Sequence, residues 1–216
     1  MGAVPVSNRR RSVVARGVLV AVIASGVATA ALAAAPPAMS TAVVAPMVCS
    51  KGPGGKTFSV AVLLPPTVAQ ASTYDVRLDG VPTGKISGFG LNYTHDISVD
   101  YLVPAGATFV EGSARIVPGT GTPNVSEGAR VWHEGGLIRM VMPGRVDSGT
   151  GYTSPSIAFQ LTAKAPPGTS IPIAFSQYRV TANAIVVGDV NATCEPTPKP
   201  YTLGTTLVTA AAPPAP

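Results

Sequence analysis

The sequence predicts an all-β chain: an antiparallel β-sandwich of about nine or ten strands, preceded by a signal-peptide helix. Three observations carry this expectation. Apolar residues recur at every second position in short runs. Gly and Pro, 23 and 22 of the 216 residues, fall between those runs, where turns belong. After residue 35, no stretch has the apolar period of an amphipathic helix.

The first 35 residues read as an export signal. Arg9, Arg10, Arg11 and Arg16 are followed by the uncharged run VLVAVIASGVATAALA. Small residues at Ala31, Ala33 and Ala35 then match the pattern that signal peptidase cuts. Arg10-Arg11-Ser12-Val13-Val14 also fits a loose twin-arginine pattern. The expected division is a signal peptide over 1–35, an Ala/Pro-rich linker over 36–46, a β-sandwich domain over 47–209 and a disordered Ala/Pro tail over 210–216. After signal cleavage no transmembrane segment is expected.

This division changes the meaning of the charge. The formal net charge is +5, but four of the 15 basic residues lie in the signal, leaving eleven against 10 acidic residues. The mature chain is then close to neutral and its cations are scattered singly, so nucleic acid is excluded as a partner.

The strands follow in order. In KTFSVAVLL, Phe58, Val60, Val62 and Leu64 share a face. In TYDVRLDG, Tyr74, Val76 and Leu78 alternate with Asp75, Arg77 and Asp79. In LNYTHDISVDYLVP the odd positions from Leu91 to Val103 are largely apolar or aromatic and include His95, while Asp96 and Asp100 fall on the even, wet face. That parity sets His95 back to back with Asp96, and Asp96 about 13 Å from Asp100 at strand rise, which excludes a shared metal or proton unless a β-bulge breaks the register. ATFVEGSARIVPG ends at a Pro-Gly turn, and ARVWHEGGLIRMVMPG reads as a hairpin about Gly135-Gly136. PSIAFQLTAKAPPGTSIPIAFSQYRV gives two strands joined at Pro166-Pro167-Gly168, and YTLGTTLV gives the last.

Two cysteines remain in a chain expected to be exported, Cys49 before the first of these strands and Cys194 near the last. An even count in an oxidising compartment predicts a disulfide between them.

The segment ISVDYLVPAGATFVEGSARI looks like the strand–Pro-Ala-Gly–strand unit of immunoglobulin-like repeats in bacterial surface proteins. The signal, the Cys in MVCSKGPGGKTFSVAV, the run YTSPSIAFQLTAKAPPGTSI and the late Cys in NATCEPTPKPYTLGTTLV together resemble secreted actinobacterial β-sandwich domains of uncharacterised function. The resemblance implies an immunoglobulin-like sandwich and supplies no catalytic residues.

The motifs for chemistry point the same way. KISGFG, VEGSAR and VDSGTG all miss the nucleophile-elbow spacing. GDVNATCE, with Asp189 and Asn191, has too few oxygen ligands for calcium. Two cysteines and two histidines would all be consumed by one zinc site, at the expense of the disulfide. No catalytic residue, metal or cofactor is therefore expected. Two places remain as candidate binding residues: Trp132 and His133 beside the hairpin turn, with Trp132 expected to be a core anchor, and Asp147 and Ser148 in the Gly-rich loop GRVDSGTG. The expectation is an exported, non-enzymatic protein, secreted or held in the cell envelope, with a binding or structural role. Its ligand would be an envelope or extracellular glycan, lipid or protein. A secreted hydrolase with a dispersed active site is the alternative.

Overall fold

The computed structural model describes residues 39–51, 55–88 and 90–211. The expected signal peptide lies outside the described residues, as do 212–216 of the expected tail.

The elements are β1 (Met39–Cys49), β2 (Lys56–Leu64), β3 (Thr67–Ala69), β4 (Thr73–Gly80), β5 (Leu91–Leu102), β6 (Ala107–Phe109), β7 (Arg115–Ile116), the single turn α1 (Pro123–Ser126), β8 (Arg130–Glu134), β9 (Leu137–Met142), β10 (Val146–Asp147), β11 (Ile157–Ala163), β12 (Ser170–Ala184), β13 (Gly188–Pro196) and β14 (Tyr201–Thr209). Hydrogen-bonded neighbours run β6-β11-β4-β2-β1-β13-β12-β5-β9-β8. Pairing is antiparallel except where β14 meets β3. The chain is an all-β, immunoglobulin-like antiparallel sandwich.

The path of strands folds over on itself. Phe58 of β2 and Phe175 of β12 stand three places apart in that order, yet their rings stack with centroids 4.6 Å apart. Tyr101 of β5 meets Phe58 from the second layer, with its ring centroid 6.4 Å away. The alternation of apolar residues in the sequence is what fills this interior. Val60, Val62, Val76, Leu78, Val99, Tyr101, Phe159 and Leu161 are all buried, each at every second position of its strand. Burying a side chain of that size contributes roughly 1.5–3 kcal/mol.

The strand β1 joins the two layers. Met39 to Met47 pair with β2 in one layer, and Met47 to Cys49 pair with β13 in the other. This corrects the expected linker over 36–46: from Met39 onward the segment is strand. Ala45 and Met47 are buried, while Val44 and Val48 on the opposite parity are exposed. Alanine, threonine and Pro46 leave that alternation with almost no hydropathy contrast, so it reads as linker composition.

Cys49 lies directly opposite Cys194 in the β1–β13 register, and the two form a disulfide with their Cα atoms 3.9 Å apart. The bond sits in the three-residue contact through which β1 holds the second layer, and it spans 145 positions of sequence. Fourteen strands, against the nine or ten expected, reflect β1 and four strands of two or three residues, too short to show a period: β3, β6, β7 and β10.

Two outcomes follow from this packing. Replacing Cys49 and Cys194 together by Ser is expected to lower stability by about 2–5 kcal/mol in urea titrations. Intact mass after alkylation should reveal two thiols only when the protein is first reduced, and two thiols without reductant would contradict the bond. The second concerns buried tyrosines. Burial raises the Tyr74 hydroxyl from 10.0 to about 12, and it pushes Tyr101 and Tyr178 upward as well. Unfolded tyrosines begin to ionise near pH 10 while these keep their protons, so the unfolded state binds fewer protons in that range. Stability should be level below about pH 10 and fall as pH rises toward 12. Among the described residues the Tyr74 hydroxyl has no hydrogen-bond partner, so Tyr74→Phe should be neutral or stabilising by about 1 kcal/mol at neutral pH. A loss of more than that would show the hydroxyl to be satisfied.

Candidate functional site

The site is built on β5, whose pairing with β12 has three register shifts, and the middle one shapes the site. The β12–β5 register passes from Arg179 opposite Ser98 to Thr181 opposite His95. Asp96 and Ile97 therefore share one partner, Val180: a β-bulge. Asp96 adopts φ 48°, in the left-handed region that aspartate tolerates better than most residues.

The bulge exchanges the faces of the strand. C-terminal to it, Ile97, Val99 and Tyr101 enter the core as the alternation predicts. N-terminal to it Thr94 turns inward, buried and without a partner for its hydroxyl among the described residues, while Tyr93 and His95 turn outward. This corrects the sequence expectation for His95, which is outward and in contact with its sequence neighbour. Its Nδ1 lies 2.8 Å from Asp96 Oδ2, and its Nε2 lies 3.6 Å from Asp189 Oδ2 on β13. The Asn183 amide, and then His95, hold the Asp189 carboxyl below its usual range.

Asp100 also departs from expectation. It lies on the outward parity yet is only 2% exposed, because two guanidinium groups cover it. Arg139 of β9 donates from Nε to Oδ1 at 2.9 Å and from Nη2 to Oδ2 at 3.3 Å. Arg179 of β12 donates from Nη2 to Oδ2 at 2.7 Å. Asp100 in turn raises the pKa of Arg139. Gln177 Oε1 accepts from Arg179 Nε at 2.9 Å, and Glu134 Oε2 accepts from Arg139 Nη1 at 3.4 Å and from Trp132 Nε1 at 3.3 Å. A carboxylate desolvated this far persists only with such pairing. The result is a fixed ionic row across β8, β9, β5 and β12. Sequence reasoning missed it, because the arginines stand 39 and 79 residues from Asp100.

The candidate residues from the sequence do not converge. Trp132 is not the core anchor expected of it. On β8 the core-facing parity belongs to Val131 and His133, so Trp132 lies outward, opposite Arg139. His133 lies inward, stacked on Phe109 at 4.4 Å, with Nδ1 2.9 Å from Glu111 Oε1. Asp147 accepts from Arg145 Nε at 2.6 Å, and the Ser148 amide donates to the Asn92 carbonyl at 2.9 Å. Asp147 pairs with Tyr93 in register, whereas Trp132 reaches β5 only through Arg139 at Asp100. At strand rise these places stand about 20 Å apart.

Between them lies an open groove of about 270 Å³, lined by Asp96, Ser98, Arg179, Thr181, Asn191 and Thr193 together with the apolar Val180 and Ala192. It presents hydroxyls, an amide, one guanidinium and one carboxylate on a rigid sheet. The Thr181 hydroxyl donates to Asn191 Oδ1 at 2.9 Å and so is not bonded to the imidazole opposite it. Among the described residues no group of three or more His, Cys, Asp or Glu could hold a metal ion.

No family model matches the chain, and no curated protein does either. Solved structures are similar only in outline. A cohesin module of a family 33 glycoside hydrolase from Clostridium perfringens is 9% identical, with 81% of this chain and 99% of that one covered and a TM-score of 0.37. The sixth cohesin of scaffoldin B from Acetivibrio cellulolyticus, solved with a Cel5 dockerin, is 13% identical over 67% of this chain and 93% of that one, with a TM-score of 0.34. Domains D2 and D3 of the major pilin of Corynebacterium diphtheriae are 10% identical over 61% of this chain and 48% of that one, with a TM-score of 0.35.

The ionic row makes a distinct prediction. Asp100→Ala should cost about 3 kcal/mol, the lower end for a broken buried pair because both arginines reach solvent. Asp96→Gly should be tolerated to within about 1 kcal/mol, whereas Asp96→Val should cost about 1–3 kcal/mol at a positive φ. Urea titrations of the three variants check this ordering, and equal costs for Asp96→Gly and Asp96→Val would contradict the bulge.

Proposed function

We propose that this chain is an exported, non-enzymatic binding module, secreted or envelope-associated. Its ligand surface is the outer face formed by β13, β12, β5 and β9. The observation that carries this reading is Asp100, a carboxylate on the solvent side of the sheet that is 2% exposed and clamped by Arg139 and Arg179. The clamp holds Arg179 still beside the groove, so a ligand meets donors that are already oriented and less side-chain freedom is lost on binding. Hydroxyl and amide groups beside one fixed cation suit a polyhydroxyl ligand, which makes a glycan our choice among glycan, lipid and protein. The disulfide supports an oxidising, extracytoplasmic location.

A secreted hydrolase is the second reading, and His95 between Asp96 and Asp189 is what favours it. A general base needs one ring nitrogen aimed at the proton it takes. Here both nitrogens face carboxylates, and for that reason we place binding first.

Wild type and the groove-blocking variants Thr181→Arg and Asn191→Arg should be compared on immobilised cell-envelope polysaccharides, with thermal unfolding confirming that each variant folds. Wild type should be retained, and each variant should bind at least about tenfold more weakly, the loss of roughly 1.4 kcal/mol. Unchanged retention in both variants would remove the groove from the reading. Release of soluble sugar that stops in His95→Ala would replace it with the hydrolase.

A further inference from the structure

The hairpin joining β12 to β13 ends in a turn of unusual composition. Turn tips are ordinarily built from Gly, Asn, Asp, Pro or Ser. This one reads Ala184-Ile185-Val186-Val187-Gly188, and its three aliphatic side chains are 70%, 88% and 67% exposed. Gly188 supplies the positive φ that closes the turn. The tip is held firmly: β12 is paired with β13 and β5 as far as Ala184, and the Ile185 amide donates to the Gly90 carbonyl at 2.8 Å. Three adjacent aliphatic residues are thus presented to water on a rigid, convex end of the sheet. Exposed apolar surface of this kind marks an interaction site.

We propose that this tip is a wedge that enters the surface of a lipid bilayer. Three observations favour lipid over a protein partner. Among the described residues, the turn itself holds three aliphatic side chains and neither an aromatic residue nor an arginine, the anchors that dominate protein interfaces. Polarity is layered behind it. Tyr93, opposite Asn183, carries the Arg145 guanidinium 3.9 Å over its ring, an amphipathic pair at the depth where headgroups would lie. That layer carries no surplus of cations, since Arg145 is paired with Asp147 and His95 faces two carboxylates, Asp96 and Asp189, so nothing in it calls for an anionic lipid. The register also carries the ends of the described chain away from the tip. β1 runs back from Cys49, away from the tip, and Leu207 of β14 pairs with Ser170 at the far end of β12. Met39 and Thr209 therefore lie toward the opposite pole.

The test is co-sedimentation of the protein with phosphatidylcholine vesicles, alone and with phosphatidylglycerol added. Wild type should partition into phosphatidylcholine vesicles, and adding phosphatidylglycerol should not strengthen that partitioning. Val186→Asp, at a position with no packing to lose, should fold normally and partition about ten- to a hundredfold less, the loss expected for one aliphatic side chain. Wild type and variant share the N-terminal apolar run, so the difference between them reports the tip. A second readout is direct: in Val186→Trp, the emission added over wild type should shift to the blue with vesicles and be quenched by brominated acyl chains. Equal partitioning of Val186→Asp, or added emission that stays solvent-like, would overturn the proposal. So would loss of a protein partner by Val186→Asp with vesicle binding unchanged.

Discussion

The architecture depends on one strand serving two layers. β1 lies along β2 for most of its length and pairs with β13 through Met47 to Cys49, with backbone bonds from Thr197 to Pro46 and from Ser50 to Thr193 on either side. That contact is where β1 ties the layer containing β12 and β5 to the layer containing β2 and β4. The Cys49–Cys194 bond stands at that junction, where a covalent link constrains the unfolded chain over 145 positions. The aromatic stack of Phe58 on Phe175 then has a fixed spacing in which to form. Closure of the sandwich and filling of its interior are consequences of the same seam.

A second constraint acts on the surface. The bulge at Asp96 makes β5 change faces part of the way along. Its C-terminal half keeps the expected division, with Asp100 outward under Arg139 and Arg179. Its N-terminal half brings Tyr93 and His95 to the same outer side, beside Asn183 and Asp189. One outer face therefore carries a clamped ionic row at one end, a hydroxyl-lined groove in the middle and an imidazole between carboxylates near the hairpin tip. Each group is immobilised by a neighbouring strand.

The candidate residues separate for the same reasons. Trp132 and His133 are adjacent, but a strand sends adjacent side chains to opposite faces. Trp132 joins the ionic row and His133 stacks on Phe109. Asp147 and Ser148 belong to the other end of β5, where they anchor a loop through Arg145 and the Asn92 carbonyl. The residues that line the groove, Arg179, Thr181, Asn191 and Thr193, have no motif to announce them. They come together through the β12–β13 pairing alone.

By itself the sequence determined the fold class, the main strands, the Gly135-Gly136 hairpin and the pairing of the two cysteines. All of these rest on local alternation, turn chemistry or counting, which a single chain displays openly. The tertiary structure decided three things. It made β1 a strand, because a partner in each layer outweighs a small-residue composition with little hydropathy contrast. It turned His95 outward, because a bulge depends on the partner strand's register and leaves no trace in the periodicity of its own. It buried Asp100, because burial of a charge depends on which cations the fold brings to it, and here they come from strands 39 and 79 residues away.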